Sequence, residues 1–463
     1  MARNTQVQAD HNAPPVTQLL AEFVANHPSH SQGGWSEAVD HEAHRTFMNW
    51  LGCAVGAAHH DAANAALAAV QMLQPSAQAS VLGRAEKVDM ASAALINGIS
   101  SHTFDFDDTH LKTIIHPAGP VASALVALAE GMAATKAITG RQIIDALVLG
   151  IDVSCRVGNA MYPDHYDRGW HITGSTGTLG AAAGCARLLG LNTQQTAMAL
   201  GIAASQPIGM REQFGSMTKP FHPGGAARAG LMSALMASRG FTASPKAIEA
   251  PRGMMQTIST KNDWSEITHE LGKRFEISFN TYKPFACGIV IHPSIDACVQ
   301  LRTQGVTAAQ VERIELKVHS LVLELTGKKE PKDGLEAKFS VYHGCAAGLI
   351  FGQATEHEYA DDIVNRADML ALRRSVVATV DDSIEEASAD VTAVMKDGRR
   401  IHVFVKNAIG SMENPLTDTM LEGKFHGLSD PVLGQPQTTQ LINSAWSLGQ
   451  APLISTLVGF ARP

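Results

Sequence analysis

Four short segments place ionisable residues inside otherwise apolar sequence, where they could do acid–base chemistry or bind an anion. The first runs from Ser101 to His110 (SHTFDFDDTH) and is followed by His116-Pro117. Three carboxylates and three histidines within these 16 residues, beside two phenylalanines, can have perturbed pKa values and act as general acids and bases. Two other interpretations stay open: the charges could face water at a helix end, or they could bind a divalent cation.

The second and third segments each precede a run of small residues that is typical of a buried helix. In Gly169–Gly177 (GWHITGSTG), His171 stands just before such a run, and backbone amides at a helix start suit a carboxylate. A tight loop with a structural histidine explains that pattern equally well. In Ser216–Gly225 (SMTKPFHPGG), Lys219 and His222 lead into a helix and form a candidate anion clamp.

The fourth segment, Tyr282–Cys287 (YKPFAC), carries Lys283 and is followed by His292-Pro293. Taken alone it is a weak signal, but it could deliver a second cation to the same site. The sequence has no Gly-x-Gly-x-x-Gly after a strand, no Gly-x-x-x-x-Gly-Lys-Ser/Thr loop and no Gly-x-Ser-x-Gly elbow. Acid–base chemistry on an anion therefore remains as the best interpretation.

The elements that position these segments are mostly helical up to about residue 265. Thr139–Gln142 and Asn192–Gln195 are capping-box patterns, and each opens an apolar run. The character changes near residue 270, where Val311–His319 alternates apolar and polar residues as a half-buried strand does. Val391–Met395 and Ile401–Val405 flank a Lys-Asp-Gly turn and predict a hairpin.

We therefore predict a mainly α protein with two domains. A large all-helical domain comprises residues 1–268 and 409–463, because helical patterns return after Asn414-Pro415. A smaller α+β lid domain, residues 269–408, is inserted into it; we call these residues the lid region. The length of 463 residues agrees with two domains.

Composition excludes several classes of partner. With 36 basic and 44 acidic residues the net charge is −8, and no basic block is present, so nucleic acid is not expected as a partner. The six scattered cysteines form no C-x-x-C pair, which fits free thiols in a reducing compartment. Residues 1–15 are polar, without a signal-peptide core, and no charge-free apolar stretch reaches 18 residues. We expect a cytoplasmic protein that does not associate with membranes.

The motifs together resemble the MmgE/PrpD family, which includes 2-methylcitrate dehydratase, cis-aconitate decarboxylase and iminodisuccinate epimerase. The resemblance covers nearly the whole chain. It rests on segments that occur in the family's order: Asp105–Thr109 with His116-Pro117, Gly169–His171, Met217–His222, Arg239–Thr242, Lys283–Phe285 and His292-Pro293. It implies a helical domain with an α+β lid, a homodimer, and catalysis without a metal or organic cofactor.

The resemblance also implies which residues surround the pocket. It places Asp105, Thr109, His116, His171, Lys219, Lys283 and Tyr342 around the pocket. We predict that Asp105, His116, His171 and Tyr342 are catalytic and that Thr109, Lys219, His222 and Lys283 bind the substrate. Two departures from the family pattern concern the substrate. Decarboxylase-like members have a histidine five residues after the lid lysine, where this chain has Gly288. The stretch His116–Pro120 also differs from that typical of methylcitrate dehydratases.

We hypothesise a dehydratase-type lyase that acts next to a carboxylate of a small hydroxy-di- or tricarboxylate. Lys219 and Lys283 would bind carboxylates, and His116 or His171 would move the proton. Asp105 would orient a histidine, and Tyr342 would protonate the departing hydroxyl. The alternatives are an epimerase of a substituted succinate, a cis-aconitate-type decarboxylase, a non-catalytic binding protein, and a metal-dependent hydrolase. The hydrolase would use Asp105, Asp107, Asp108 and His110.

Overall fold

The computed structural model describes residues 13–463, and most of them are helical. The start of the polar N-terminal stretch, residues 1–12, lies outside the described residues. The α-helices are α1 (Val16–Asn26), α2 (Glu37–Gly56), α3 (Asp61–Gln71), α4 (Met90–Thr103), α5 (Ala118–Met132), α6 (Gly140–Met161), α7 (Asp164–Asp167), α8 (Ile172–Leu189), α9 (Thr193–Ala203), α10 (Thr218–Ser238), α11 (Met254–Ile258), α12 (Trp264–Thr268), α13 (His292–Thr303), α14 (Ser320–Thr326), α15 (Gly334–Ala337), α16 (Val341–Phe351), α17 (Asp361–Val364), α18 (Ala367–Arg374), α19 (Asp418–Leu433), α20 (Gln435–Trp446) and α21 (Ile454–Phe460). The prediction of a mainly α protein is confirmed.

The strands are short and form three sheets. They are β1 (Ala79–Ser80), β2 (Lys87–Val88), β3 (Asp108–His110), β4 (Asn280–Tyr282), β5 (Val311–Val318), β6 (Val376–Val380), β7 (Ala389–Met395) and β8 (Arg400–Val405). The largest sheet has the order β6-β5-β7-β8, in which β5 runs parallel to β6 and antiparallel to β7. The predicted hairpin is β7–β8, and Gly398 in its turn has a φ of +87°, which glycine adopts without strain.

Local capping explains where two long helices begin. The Thr139 side chain accepts from the backbone N–H of Gln142 at 3.3 Å, and Asn192 Oδ1 accepts from the N–H of Gln195 at 2.9 Å. Each glutamine side chain in turn accepts a hydrogen bond from the backbone N–H of the cap residue, so α6 and α9 start with the predicted capping boxes.

Glycines let the central helices α4, α6, α8 and α10 approach closely. A Cβ added to Gly98 of α4 would lie 2.6 Å from the Cα of Gly224 in α10. A Cβ on Gly180 of α8 would lie 2.8 Å from the carbonyl oxygen of Gly150 in α6. Real Cβ atoms do not approach other atoms this closely, so these contacts require glycine. They bring the end of α4 next to the start of α10.

Two large hydrophobic clusters divide the core. The first contains buried residues between positions 16 and 282 together with residues 416–461 of the C-terminal helices. The second takes most of its members from residues 285–408, joined by Cys53, Phe106 and Leu428. The predicted boundaries at residues 268 and 409 stay a prediction. Among residues 13–463, no helix combines the length and the apolar character needed to cross a bilayer.

The two-stranded sheet β3–β4 connects the helical region to the lid region. Asp108 pairs with Tyr282, Thr109 with Thr281 and His110 with Asn280, in antiparallel register. Lys283 directly follows β4, so this register places it beside the residues that precede β3. A residue 178 positions later in the sequence is thereby brought next to Asp105.

Candidate active site

A cavity of about 440 Å³ lies between the helical region and the lid region. It contains five of the predicted site residues: Asp105, His116, His171, Lys219 and Lys283. The rest of its lining is mostly apolar, namely Ile114, Tyr166, Phe214, Gly288, Ile289, Val290, Leu325, Thr326 and Phe339. Four segments that are distant in sequence therefore contribute charged or ionisable side chains to one small space.

Asp105 is the centre of a buried ion-pair triad with two lysines. Its Oδ1 lies 2.8 Å from Nζ of Lys219 and 2.7 Å from Nζ of Lys283. Burial alone would raise the pKa of Asp105, but the ammonium groups of Lys219 and Lys283 hold it well below its usual value. The backbone φ of Asp105 is +52°, a left-handed conformation that aspartate tolerates better than most residues.

The two lysines differ in how many donors they have left for a ligand. Nζ of Lys283 donates to Asp105 Oδ1, to the Asp105 carbonyl at 3.0 Å and to the Cys287 carbonyl at 3.1 Å, which uses all three of its N–H groups. Nζ of Lys219 has one acceptor, Asp105, among the described residues. Two N–H groups of Lys219 thus remain for a ligand, whereas Lys283 acts mainly through its charge.

The surroundings of Lys219 reinforce this role. It lies in the first turn of α10, where the helix dipole contributes positive potential. The rings of Phe214 and Phe339 lie 5.2 Å and 5.0 Å from its Nζ. Burial, together with the charge of Lys283, lowers the pKa of Lys219 although Asp105 acts against the shift.

His116 is held in one tautomer. Its Nδ1 lies 2.7 Å from the carbonyl oxygen of Asp108, which can only accept, so Nδ1 carries the proton and Nε2 keeps its lone pair. Burial lowers the pKa of His116 to about 3, although Asp107 opposes the shift. The backbone N–H of His116 donates to the Thr173 hydroxyl in α8 at 3.1 Å, which fixes the loop. His116 is therefore a neutral imidazole with a free basic nitrogen.

His171 directly precedes α8, and its ring pairs with that of His222. The two Nδ1 atoms lie 2.8 Å apart, so one of them donates and the other accepts. Burial lowers the pKa of His171 well below its usual value, and neighbouring His102 and Lys219 add to the effect. His222 is not among the residues that line the cavity; it acts behind His171.

Thr109 was also predicted to bind the substrate, and the structure places it in a supporting position. It is fully buried, and its hydroxyl lies 3.3 Å from Nδ1 of His116. Because side chains alternate along a strand, its position on β3 determines which way it points. Thr109 thus contacts a histidine of the cavity and does not line the cavity itself.

Tyr342, the predicted acid, does not line this cavity. It lies in the first turn of α16 and lines another cleft, with Lys329, Glu330, Arg373 and Arg374. The same segment contributes Phe339 to the cavity wall instead. The cavity lining therefore does not support the prediction of Tyr342 as the acid, because its side chain lines a different part of the lid region.

His102 and Asp107 belong to the site's surroundings; the sequence prediction did not select His102, and it named Asp107 only for the hydrolase alternative. Nδ1 of His102 lies 2.7 Å from Asp107 Oδ2, and both side chains are fully buried. The ring of His102 lies 4.7 Å from that of His116 and 5.6 Å from that of His171. The sequence feature that could have identified both residues is the density of ionisable residues in the segment from Ser101 to His110.

Two groups of side chains have the spacing to hold a metal ion: His102 with His116 and His171, and His102 with Asp105 and Asp107. The four residues predicted for a metal-dependent hydrolase are not grouped in this way. Asp108 accepts from Asn280 at 2.8 Å, and burial next to Asp107 raises its pKa to about 7. Nε2 of His110 lies 3.1 Å from Glu276 Oε2. Of that set, Asp105 and Asp107 share a group with His102, whereas Asp108 and His110 belong to neither group.

Comparison with known proteins places these residues in a family. Residues 18–267 match the MmgE/PrpD N-terminal domain, and residues 285–448 match the MmgE/PrpD C-terminal domain. The chain is 25% identical over 441 residues to the cis-aconitate decarboxylase-like protein oryM of Aspergillus oryzae, covering 90% of this chain and 91% of that one. It is 26% identical over 366 residues to cis-aconitate decarboxylase of Homo sapiens (76% and 75%). It is 23% identical over 425 residues to 2-methylcitrate dehydratase of Escherichia coli strain K12 (84% and 85%). The chain therefore belongs to the MmgE/PrpD family, as its motifs predicted, and is an enzyme of that type.

Proposed function

We propose that this enzyme is a dehydratase-type lyase that removes a proton from the carbon next to a carboxylate of a small hydroxy-di- or tricarboxylate. One observation carries the proposal. One cavity brings together two buried ammonium groups, those of Lys219 and Lys283, and a neutral His116 whose Nε2 is available as a base. Removing such a proton builds negative charge on the carboxylate, and fixed positive charge in a dry site stabilises it.

His116 is the best-prepared base. The Asp108 carbonyl fixes its tautomer, and burial keeps it neutral. Lys219, with two donors left, binds the carboxylate that gains charge, while Lys283 strengthens the local field. The start of α8 at His171 and the start of α10 at Lys219 add the positive ends of two helix dipoles.

The departing hydroxyl leaves as water and needs a proton. With Tyr342 placed elsewhere, we assign this proton to Lys219, whose lowered pKa makes it a better acid than an exposed lysine. The C–H electron pair forms the new double bond as the C–O bond breaks. His116 gains one proton and Lys219 loses one, so returning that proton resets the site.

A second observation favours a hydroxy acid as the substrate. Oδ2 of Asp105 is buried and has no hydrogen-bond partner among the described residues. Buried acceptors are nearly always satisfied. A substrate hydroxyl beside the ion-pair triad would donate to this oxygen, whereas an unsaturated acid without a hydroxyl has no such donor.

Decarboxylation of an unsaturated tricarboxylate is the second candidate, because several of the matching relatives are named cis-aconitate decarboxylase. Gly288 lines the cavity. By the family resemblance, decarboxylase-like members carry a histidine at this position. A Cβ at this position would lie 3.1 Å from Cγ2 of Thr326. The wall is thus closely packed around a glycine and supplies no imidazole there, which favours dehydration.

Proton NMR in D₂O separates the candidate reactions. The enzyme is incubated with malate, citrate and 2-alkyl citrates, and then with the corresponding alkenes. A dehydratase produces a vinyl signal, an epimerase exchanges the α-hydrogen without forming an alkene, and a decarboxylase releases CO₂. Exchange without any alkene, or CO₂ release alone, would overturn the dehydratase proposal. His269→Gln, at an exposed histidine, is the matched control.

The metal-dependent hydrolase is tested by chelation. Because His102, His116 and His171 could hold an ion, the enzyme is dialysed against a strong chelator and assayed with and without added Zn²⁺ or Mn²⁺. Full activity in the chelated enzyme is expected for the proposed lyase. Loss that only the metal restores would favour the hydrolase.

The remaining expectations rest on the family resemblance and the composition. We propose a homodimer in the cytoplasm. Sedimentation velocity of the purified protein tests the dimer, and a single species with the mass of one chain would contradict it.

A further inference from the structure

A second cavity, of about 660 Å³, adjoins the active cavity. The two share three lining residues, Ile114, Ile289 and Val290. Beyond this shared wall the second cavity is mostly apolar, lined by residues such as Leu111, Leu321, Ala408 and Ile409. Among the described residues that line it, Glu386 carries the only carboxylate, and none is a lysine or an arginine.

Ile114 stands between the cavities in a strained conformation. Its φ is +58°, a region that β-branched residues rarely enter because of steric conflict at Cβ. Such strain persists only where the surroundings fix the backbone, and it concentrates at functional sites.

His110 is what holds this turn. Its backbone N–H donates to the Ile115 carbonyl at 2.7 Å, and its ring nitrogens contact Thr113 Oγ1 at 2.9 Å and Glu276 Oε2 at 3.1 Å. Both ends of the turn are therefore fixed, and the Ile114 side chain is held where the two cavities meet.

We propose that the second cavity is a subsite for an apolar substituent of the substrate, and that Ile114 forms the neck that selects the substituent's shape. This inference rests on the proposed function, because the carboxylates of the same molecule occupy the active cavity. The lining supports an uncharged occupant: Glu386 repels a further carboxylate, and burial lowers the pKa of His292 to about 3, so its ring adds no positive charge.

The occupant is therefore the alkyl chain of a 2-alkyl-substituted polycarboxylate. Each methylene that leaves water for an apolar wall tightens binding by about fourfold. Branched or cyclic substituents meet Ile114 at the neck and gain less than straight chains of the same carbon number.

Dissociation constants of succinate, 2-methylsuccinate, 2-butylsuccinate and 2-cyclohexylsuccinate, measured by calorimetry on the full chain, test this inference. In the unmodified enzyme, 2-butylsuccinate should bind at least tenfold more tightly than succinate. Equal or weaker binding of 2-butylsuccinate, with succinate still bound, would overturn the subsite and leave the proposed function standing. If none of these acids binds and no hydroxy acid turns over, the proposed function fails and this inference with it.

Three variants test the subsite and the neck separately. Ala387→Phe fills the second cavity at an exposed residue that does not line the first, and should abolish the butyl gain while leaving succinate binding within threefold. Ile114→Ala should raise the affinity ratio of 2-cyclohexylsuccinate to succinate about tenfold or more. Ile115→Val, in the same turn but packed against Gly158, is the matched control and should leave both ratios unchanged. An unchanged ratio in Ile114→Ala would contradict the role of the neck.

Discussion

The helical region and the lid region contribute different kinds of residue to the active cavity. The helical region supplies Asp105, His116, His171 and Lys219, each fixed at a helix end or in a loop bound to its neighbours. The lid region supplies an apolar wall that includes Val290, Leu325 and Phe339, with Lys283 at the seam beside β3–β4. Under the proposed function, the helical region performs the chemistry, while the lid region excludes water and shapes the substrate.

The largest effect should follow from removing the base on the helical side. His116→Gln keeps a polar side chain of similar size but has no basic nitrogen, so turnover should fall by about 10²–10⁴. Steady-state kinetics on the confirmed substrate measure this, with His269→Gln as the control. A His116→Gln enzyme within tenfold of the unmodified one would assign the base elsewhere.

The next largest effects should follow from replacing Lys219 or Lys283, and the two replacements should differ. Lys219→Met removes the proposed carboxylate donor, which is also the proposed acid, and should reduce kcat by at least about 10²–10³, because an electrostatic partner and a proton donor are both lost. Lys283→Met breaks a buried, threefold hydrogen-bonded ion pair, so it should also destabilise the fold by about 3–5 kcal/mol.

Urea unfolding of both variants distinguishes these roles. Asp105 keeps one lysine partner in either variant, but only Lys283→Met leaves the Cys287 carbonyl without its donor. Equal losses of unfolding free energy would show that the two lysines are equivalent.

A smaller effect is expected on the lid side. Leu325→Ala removes part of the apolar wall and enlarges the cavity without changing a charged group. We therefore expect kcat to change by less than about tenfold, while KM and the preference among substrates change more. Kinetics with two substrates that differ by one methylene measure this. A thousandfold loss of kcat would place chemistry in the lid region and contradict this division of roles.

The smallest effect, a loss of stability in acid, should come from both regions together. For a buried neutral histidine the folded-state pKa is depressed, so the unfolded state binds more protons below the ordinary value of about 6.5 and stability falls as the pH decreases. Burial lowers the pKa to between about 3 and about 4 in histidines of both regions: His116, His165, His222, His292 and His343.

Two aspartates act in the opposite direction. Burial raises the pKa of Asp108 to about 7 and that of Asp152 to about 6, so their protonation favours the folded state as the pH falls from about 7 to about 4. Among the described residues, burial lowers the pKa of nine histidines and raises that of five carboxyls, these two aspartates included, so Tm should be lower at pH 5 than at pH 7. Differential scanning calorimetry at both values checks this, and a higher Tm at pH 5 would contradict it.

Much of the helical framework could be predicted because its signals are local. The capping boxes that begin at Thr139 and Asn192 each span four residues and predict the starts of α6 and α9. Gly398 predicts the hairpin turn. The convergence of Asp105, Lys219 and Lys283 followed from family motifs, and the β3–β4 register supplies its physical cause.

Side-chain direction could not be predicted in the same way. Thr109 and His222 have the expected positions in the chain, yet each lies behind a histidine of the cavity. Within Lys338–Tyr342, Phe339 reaches the cavity and Tyr342 does not, because the packing of α16 on its neighbours sets the orientation. Such outcomes depend on tertiary packing, which a single sequence does not encode in a readable pattern.

The contact between Gly98 and Gly224 makes the ion-pair triad sensitive to residues that no ligand touches. A methyl group at either position meets backbone of the opposite helix, at 2.6 Å for Gly98 and 2.4 Å for Gly224, so α4 and α10 would have to separate. Asp105 follows α4 and Lys219 begins α10, so that separation would stretch a 2.8 Å contact. Natural variants at these glycines would therefore resemble active-site lesions in assays, and a survey that ranks variants by distance from the ligand would overlook them.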